Sequence, residues 1–175
     1  GMNRDLEAAP YLRRASELAA EWFRPENPDR WILQGNLASL EAELGNSERG
    51  VELYDEVIEN MSRIMGPDSR LVMSARHMRA NALWIGRKFD EAADGFTTLL
   101  PDITQALGSD NWMTIQTRSS LARVLFDAGK PNEALPYAEQ AAADFTRTLG
   151  SDHPRTINTS QLLHDLRKRL GSGGR

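Results

Sequence analysis

Apolar residues recur along this chain at steps of three and four, the spacing that lays a stripe down one side of a helix. Tyr54, Val57, Ile58, Met61, Ile64 and Met65 form one stripe, and Phe96, Leu99, Leu100, Ile103 and Leu107 repeat it at the same phases. The stretches between carry Trp31, Leu37, Ala38 and Leu40, then Ala80, Leu83 and Trp84, then Leu121, Ala122, Leu125 and Phe126. Little alternates with period two, so no sheet is expected. Glycine punctuates the stripes at Gly45, Gly66, Gly86, Gly108, Gly129, Gly150 and Gly171, at intervals of 21, 20, 22, 21, 21 and 21. Glycine most easily takes the left-handed conformation that closes a helix, so each is read as a stop. Before Gly45 the rhythm lands on Arg24, where Pro25 and Pro28 end the helix instead. The pattern predicts eight antiparallel helices over about 4–23, 29–44, 47–65, 69–85, 89–107, 111–128, 131–149 and 153–170.

Two glycine intervals make a unit of 42 residues. Met65-Gly66-Pro67-Asp68, Leu107-Gly108-Ser109-Asp110 and Leu149-Gly150-Ser151-Asp152 are spaced by that period. Glu7-Ala8-Ala9-Pro10-Tyr11 nearly copies Glu133-Ala134-Leu135-Pro136-Tyr137, 126 residues on. Repeats of this length indicate a stacked array. Small residues mark where the helices meet: Ala38, Ala80 and Ala122 at one phase of the first helix of each pair, Ala8, Gly50, Ala92 and Ala134 at one phase of the second. Small side chains let two axes approach while larger ones interdigitate around them. The expected organisation is a single helical repeat domain over 2–170, with a half repeat at 4–23, repeats at about 29–65, 69–107 and 111–149, and a terminal helix at 153–170. Residues 171–175 are read as a flexible tail. The half repeats suggest a chain cut from something longer, or a first helix that serves as a cap.

Composition narrows the chemistry. The 175 residues include 21 Lys+Arg and 25 Asp+Glu, a formal charge of −4, with 40% hydrophobic residues and no cysteine. No disulfide, thiolate metal site or cysteine nucleophile can form. No apolar run approaches the roughly 20 residues that cross a bilayer, and no signal-peptide layout opens the chain, so the expectation is a cytoplasmic protein without a membrane partner. Mild acidity gives no electrostatic reason to bind nucleic acid. Arg167-Lys168-Arg169 ends the last helix, where cations complement the helix dipole. His77, His153 and His164 lie on separate elements without metal-ligand spacing, His164 at the seam phase of Ala122. Ser109-Asp110-Asn111 lacks the Ser-x-x-Lys and Lys-Thr-Gly companions of penicillin-recognising enzymes. No nucleophile elbow or phosphate loop appears. Paired acids such as Glu41 and Glu43 are read as solvation and helix N-terminal charge. No catalysis, cofactor or metal is expected.

Asn36-Leu37-Ala38 through Gly45, and Ser120-Leu121-Ala122-Arg123-Val124-Leu125-Phe126 followed by Gly129-Lys130-Pro131-Asn132-Glu133-Ala134, resemble the tetratricopeptide repeat. The 42-residue period and the Leu-Gly-Ser-Asp-His-Pro linker from Leu149 to Pro154 resemble its kinesin-light-chain type. The resemblance spans roughly residues 4–170 and implies an all-α, right-handed α-solenoid of antiparallel helix pairs. Gln34, Arg76 and Arg118 depart from it, standing where the family often has an aromatic, as do Gly50 for the usual alanine and Arg87 in a turn.

What the resemblance implies is a non-catalytic scaffold whose first-type helices line a concave groove for a protein or peptide segment. On the family's phasing the groove takes Ile32, Gly35 and Ser39, then Ser74, His77, Asn81, Trp84 and Ile85, then Gln116, Ser119, Arg123 and Phe126, then Asn158, Gln161 and Asp165. Asn81, Gln116 and Ser119 offer donors and acceptors for a peptide backbone. Asn81 is the leading candidate for a partner contact. Arg123 suits a partner carboxylate or the neighbouring Asp127, and Trp84 and Phe126 suit packing between repeats or a ligand. By analogy with bacterial proteins that carry such arrays beside kinase or regulator domains, a regulatory role is implied. The alternative is self-association through exposed apolar faces of the end helices, giving a homo-oligomer.

Overall fold

The computed structural model describes residues 2–172, with side chains from Ala9 to Gly171. Eight helices follow one another: α1 (Met2–Trp22), α2 (Pro28–Glu43), α3 (Ser47–Met65), α4 (Arg70–Ile85), α5 (Phe89–Leu107), α6 (Trp112–Asp127), α7 (Pro131–Leu149) and α8 (Pro154–Ser172). There is no strand among the described residues. The chain forms two compact units, residues 1–88 with α1 to α4 and residues 89–175 with α5 to α8. Within each unit consecutive helices pack side by side.

Local chemistry sets the helix starts. Asn27 and Asn111 accept hydrogen bonds from the backbone N–H groups of Asp29 and Met113 at 2.9 and 3.0 Å, and Ser69 caps α4 through Val72 N–H. Pro28 and Pro131 occupy first-turn positions, where no N–H is needed. The stops follow glycine with one slip. Gly45, Gly66, Gly108, Gly129 and Gly150 all have positive φ, between 76° and 93°. Gly86 does not: Arg87 adopts the left-handed conformation instead, at φ 60°. Positions 45, 87 and 129 are 42 residues apart, so the turn keeps its phase and the glycine is displaced by one. Gly86 meets a different need, since a Cβ there would lie 2.9 Å from Ser47 Cβ. Gly171 is no stop, because α8 continues through it to Ser172; residues 173–175 of the expected tail lie outside the described ones.

The small residues of the seam are buried, except that Ala8 lies outside the residues whose side chains are described. Ala38, Ala92, Ala122 and Ala134 are 0% exposed and Ala80 is 1% exposed. At Gly50 an added Cβ would stand 2.8 Å from the Ala38 carbonyl oxygen and 3.0 Å from Ala42 Cβ, so α2 and α3 touch backbone to backbone there. Around this contact Trp31, Leu53, Tyr54, Val57 and Met61 build the core of the first unit. The second unit packs Phe96, Leu99, Ile103, Ile115, Leu121, Phe145, Leu162 and Leu166.

Two of the polar departures are absorbed by pairing. Arg118, buried at 4% exposure, donates from Nη1 to Asp144 Oδ2 on α7 at 2.6 Å. Arg147 links Asp144 to Asp110, at 3.0 and 2.7 Å. Gln34 bonds to Glu56 on α3.

Candidate binding surface

In the first unit α2 and α4 lie side by side and, with α3 behind them, enclose a cleft of about 240 Å³. Ile32, Gly35 and Ser39 line it from α2, and Leu71, Ser74 and Met78 from α4. Tyr54 of α3 closes the back, its hydroxyl hydrogen-bonded to Ser39 Oγ. Burial raises the Tyr54 pKa, so the phenol stays neutral. Trp31 stands in the wall, its indole N–H donating to the Pro25 carbonyl at 2.7 Å.

Helical spacing puts Ser74, His77, Asn81 and Trp84 on one side of α4, but their environments differ. Ser74 lines the cleft. Asn81 is half-buried, with Nδ2 3.8 Å from Met78 Sδ. Trp84 is half-buried. His77 is buried, and desolvation lowers its pKa to about 4, so the ring is neutral near pH 7.

In the second unit Gln116, Ser119, Arg123 and Phe126 follow the same spacing on α6, all half-buried. Two of them are engaged by α8. Ser119 Oγ lies 3.0 Å from Thr159 Oγ1, and the Arg169 guanidinium sits 5.4 Å from the centre of the Phe126 ring, a cation–π contact. Gln116 Nε2 reaches Ser120 Oγ at 3.5 Å. On α8 itself Asn158 and Gln161 are exposed, and Gln161 donates to Asp165 at 2.9 Å.

Sequence reasoning placed Tyr54 in a core stripe and passed over Leu71 and Met78; their part in the cleft depends on how far apart α2 and α4 stand. The one signal present was Gly35, a glycine inside a helix whose counterparts are His77, Ser119 and Gln161. Elsewhere in the first unit the Arg13 guanidinium, 2.7 Å from Glu41, holds that carboxyl below its usual range, and Asn46 supports it at 2.8 Å. His164 is exposed, not packed in a seam. No cluster of three or more metal-ligating side chains occurs among the described residues.

Comparison with known proteins agrees with the repeat reading. A family model for the tetratricopeptide repeat matches residues 114–155. No curated protein matches the chain. Among solved structures, two of a candidate kinesin light chain from Podosopora anserina, with nearly identical TPR-like repeats, superpose with TM-scores of 0.81 and 0.80. Both are 23% identical, and the matches cover 97% of this chain and 80% and 81% of theirs. BtubC (BKLC) from P. vanneervenii superposes with a TM-score of 0.75 at 19% identity, over 97% of this chain and 67% of its own. Residues 114–155 therefore match the tetratricopeptide repeat, and the chain shares the all-α fold of these kinesin-light-chain-like repeat structures.

Proposed function

We propose that the chain is a non-catalytic interaction module that holds a peptide or protein segment against its first-type helices. The observation that carries this reading is the cleft between α2 and α4, where Ile32, Gly35, Ser39 and Ser74 surround open space. Asn81 on α4 of the first unit, and Arg123 at the equivalent position of α6 in the second, offer an amide and a guanidinium donor. Affinity capture with the wild-type chain and an Asn81→Ala/Arg123→Ala variant tests the assignment: the variant is expected to lose a partner that the wild type retains. Equal recovery of every partner removes both residues from the surface.

A second reading, self-association, is favoured by the outer side of α1, where Tyr11 is 77% and Trp22 79% exposed. On α8 one side presents Ile157, 54% exposed, beside His164 and Arg167, a face more polar than that of α1. Light scattering over a concentration series decides: a mass that grows in the wild type but stays monomeric in Tyr11→Asp/Trp22→Glu supports association through α1.

A further inference from the structure

The cleft between α2 and α4 differs chemically from the rest of the surface. Of all residues in the chain 26% are charged, yet none of the 12 that line the cleft is. Its walls are Trp31, Ile32, Val57, Met61, Leu71 and Met78, with the polar groups of Asn36, Ser39, Tyr54 and Ser74 set among them. Those of Ser39 and Tyr54 bond to each other, leaving Asn36 and Ser74 as the groups offered at the edges.

Gly35 keeps this space open. Its φ is not positive, and a Cβ there would meet only Tyr54 Cε1, at an ordinary 3.9 Å. Neither backbone conformation nor close packing therefore demands glycine, unlike Gly45 and Gly50. A glycine in a helix lowers stability. What it achieves here is an absence, since any longer side chain at 35 would project into the cleft.

The size and polarity select an occupant. A dry cavity of about 150 Å³ lined by leucine, isoleucine and phenylalanine holds a benzene ring. The 240 Å³ here suits one large apolar side chain, and Asn36 and Ser74 beside it can hold free backbone groups, which an extended segment offers and a helix does not. A carboxylate or ammonium would lose its hydration with no counter-charge in the lining.

Resting on the interaction reading above, we propose that this cleft is the anchor subsite for the partner. It takes one leucine-, methionine- or phenylalanine-sized side chain from an extended segment that is uncharged around that residue. Asn36 and Ser74 hold the backbone on either side.

The test is selection of random dodecapeptides displayed on phage against the immobilised full chain. Enriched peptides are then titrated by fluorescence polarisation against wild type, Gly35→Leu and Ser74→Phe. These variants fill the cleft from opposite walls, and circular dichroism and thermal melting identify any that fails to fold. The expected consensus has one apolar residue flanked by uncharged ones. Alanine at that residue, or either filled cleft, is expected to weaken binding at least tenfold. A consensus anchored on a charged residue, or peptides that bind both filled variants as tightly as wild type, overturns the subsite and leaves the interaction reading standing. No enrichment on the wild-type chain overturns both.

Discussion

Gly35, Gly45 and Gly50 stand in three different physical situations within 15 residues, and alanine separates them. At Gly45 the strain is purely conformational, since φ is 93° and nothing lies within 4 Å, so Gly45→Ala is expected to cost about 1 kcal/mol. Gly50→Ala drives a methyl group against the Ala38 carbonyl and is expected to cost about 1–3 kcal/mol. Gly35→Ala gains helix propensity and is expected to add about 0.5–1 kcal/mol. Thermal denaturation should rank Gly35→Ala above wild type and the other two below it. The buried Arg118–Asp144 pair gives a second residue-scale prediction. Asp144→Ala strands a guanidinium in the core and is expected to cost about 3 kcal/mol in urea unfolding, whereas Arg118→Leu/Asp144→Ala recovers most of the loss.

Helix–helix contact is governed by side-chain volume along the seam. Ala122→Leu or Ala134→Leu, at positions that are 0% exposed, is expected to cost about 1–3 kcal/mol through overpacking, read as a lowered melting temperature. Unchanged melting in both variants would remove the seam from the packing account. These elements were legible because helical periodicity and turn chemistry are local: α3, α5 and α7 span the ranges their apolar stripes and glycine stops predict. The slip at Gly86 and Arg87 showed in the sequence as intervals of 20 and 22 and an arginine in a turn, but its cause was not legible, because what crowds position 86 is Ser47, 39 residues earlier in the chain. Arg118 stood out as a departure, but its partner lies 26 residues away and is found only once α6 and α7 are packed. The cleft was half legible for the same reason. The phasing implied by the family resemblance gave Ile32, Gly35, Ser39 and Ser74, while Tyr54, Leu71 and Met78 join them through packing.

Proton linkage acts on the molecule as a whole. His77 titrates near 4 when folded and near 6.5 when unfolded, so the unfolded chain binds the extra proton between those values. Stability contributed by the neutral buried ring is complete above about pH 6.5 and falls by up to about 1.4 kcal/mol per unit as the pH drops toward 4. The carboxyls of Glu41 and Asp110, lowered by Arg13 and Arg147, add their own losses at more acid pH. Melting followed from pH 7 to 4.5 is therefore expected to decline in the wild type and to flatten in His77→Gln. No helix among the described residues is long and apolar enough to cross a membrane. Trp31, set in the cleft wall, gives the chain a built-in optical reporter, while Trp22 lies almost wholly in water. A segment seated beside that indole should shift its emission and shield it from acrylamide, so occupancy can be followed without a dye once Trp22, Trp84 and Trp112 are replaced by phenylalanine.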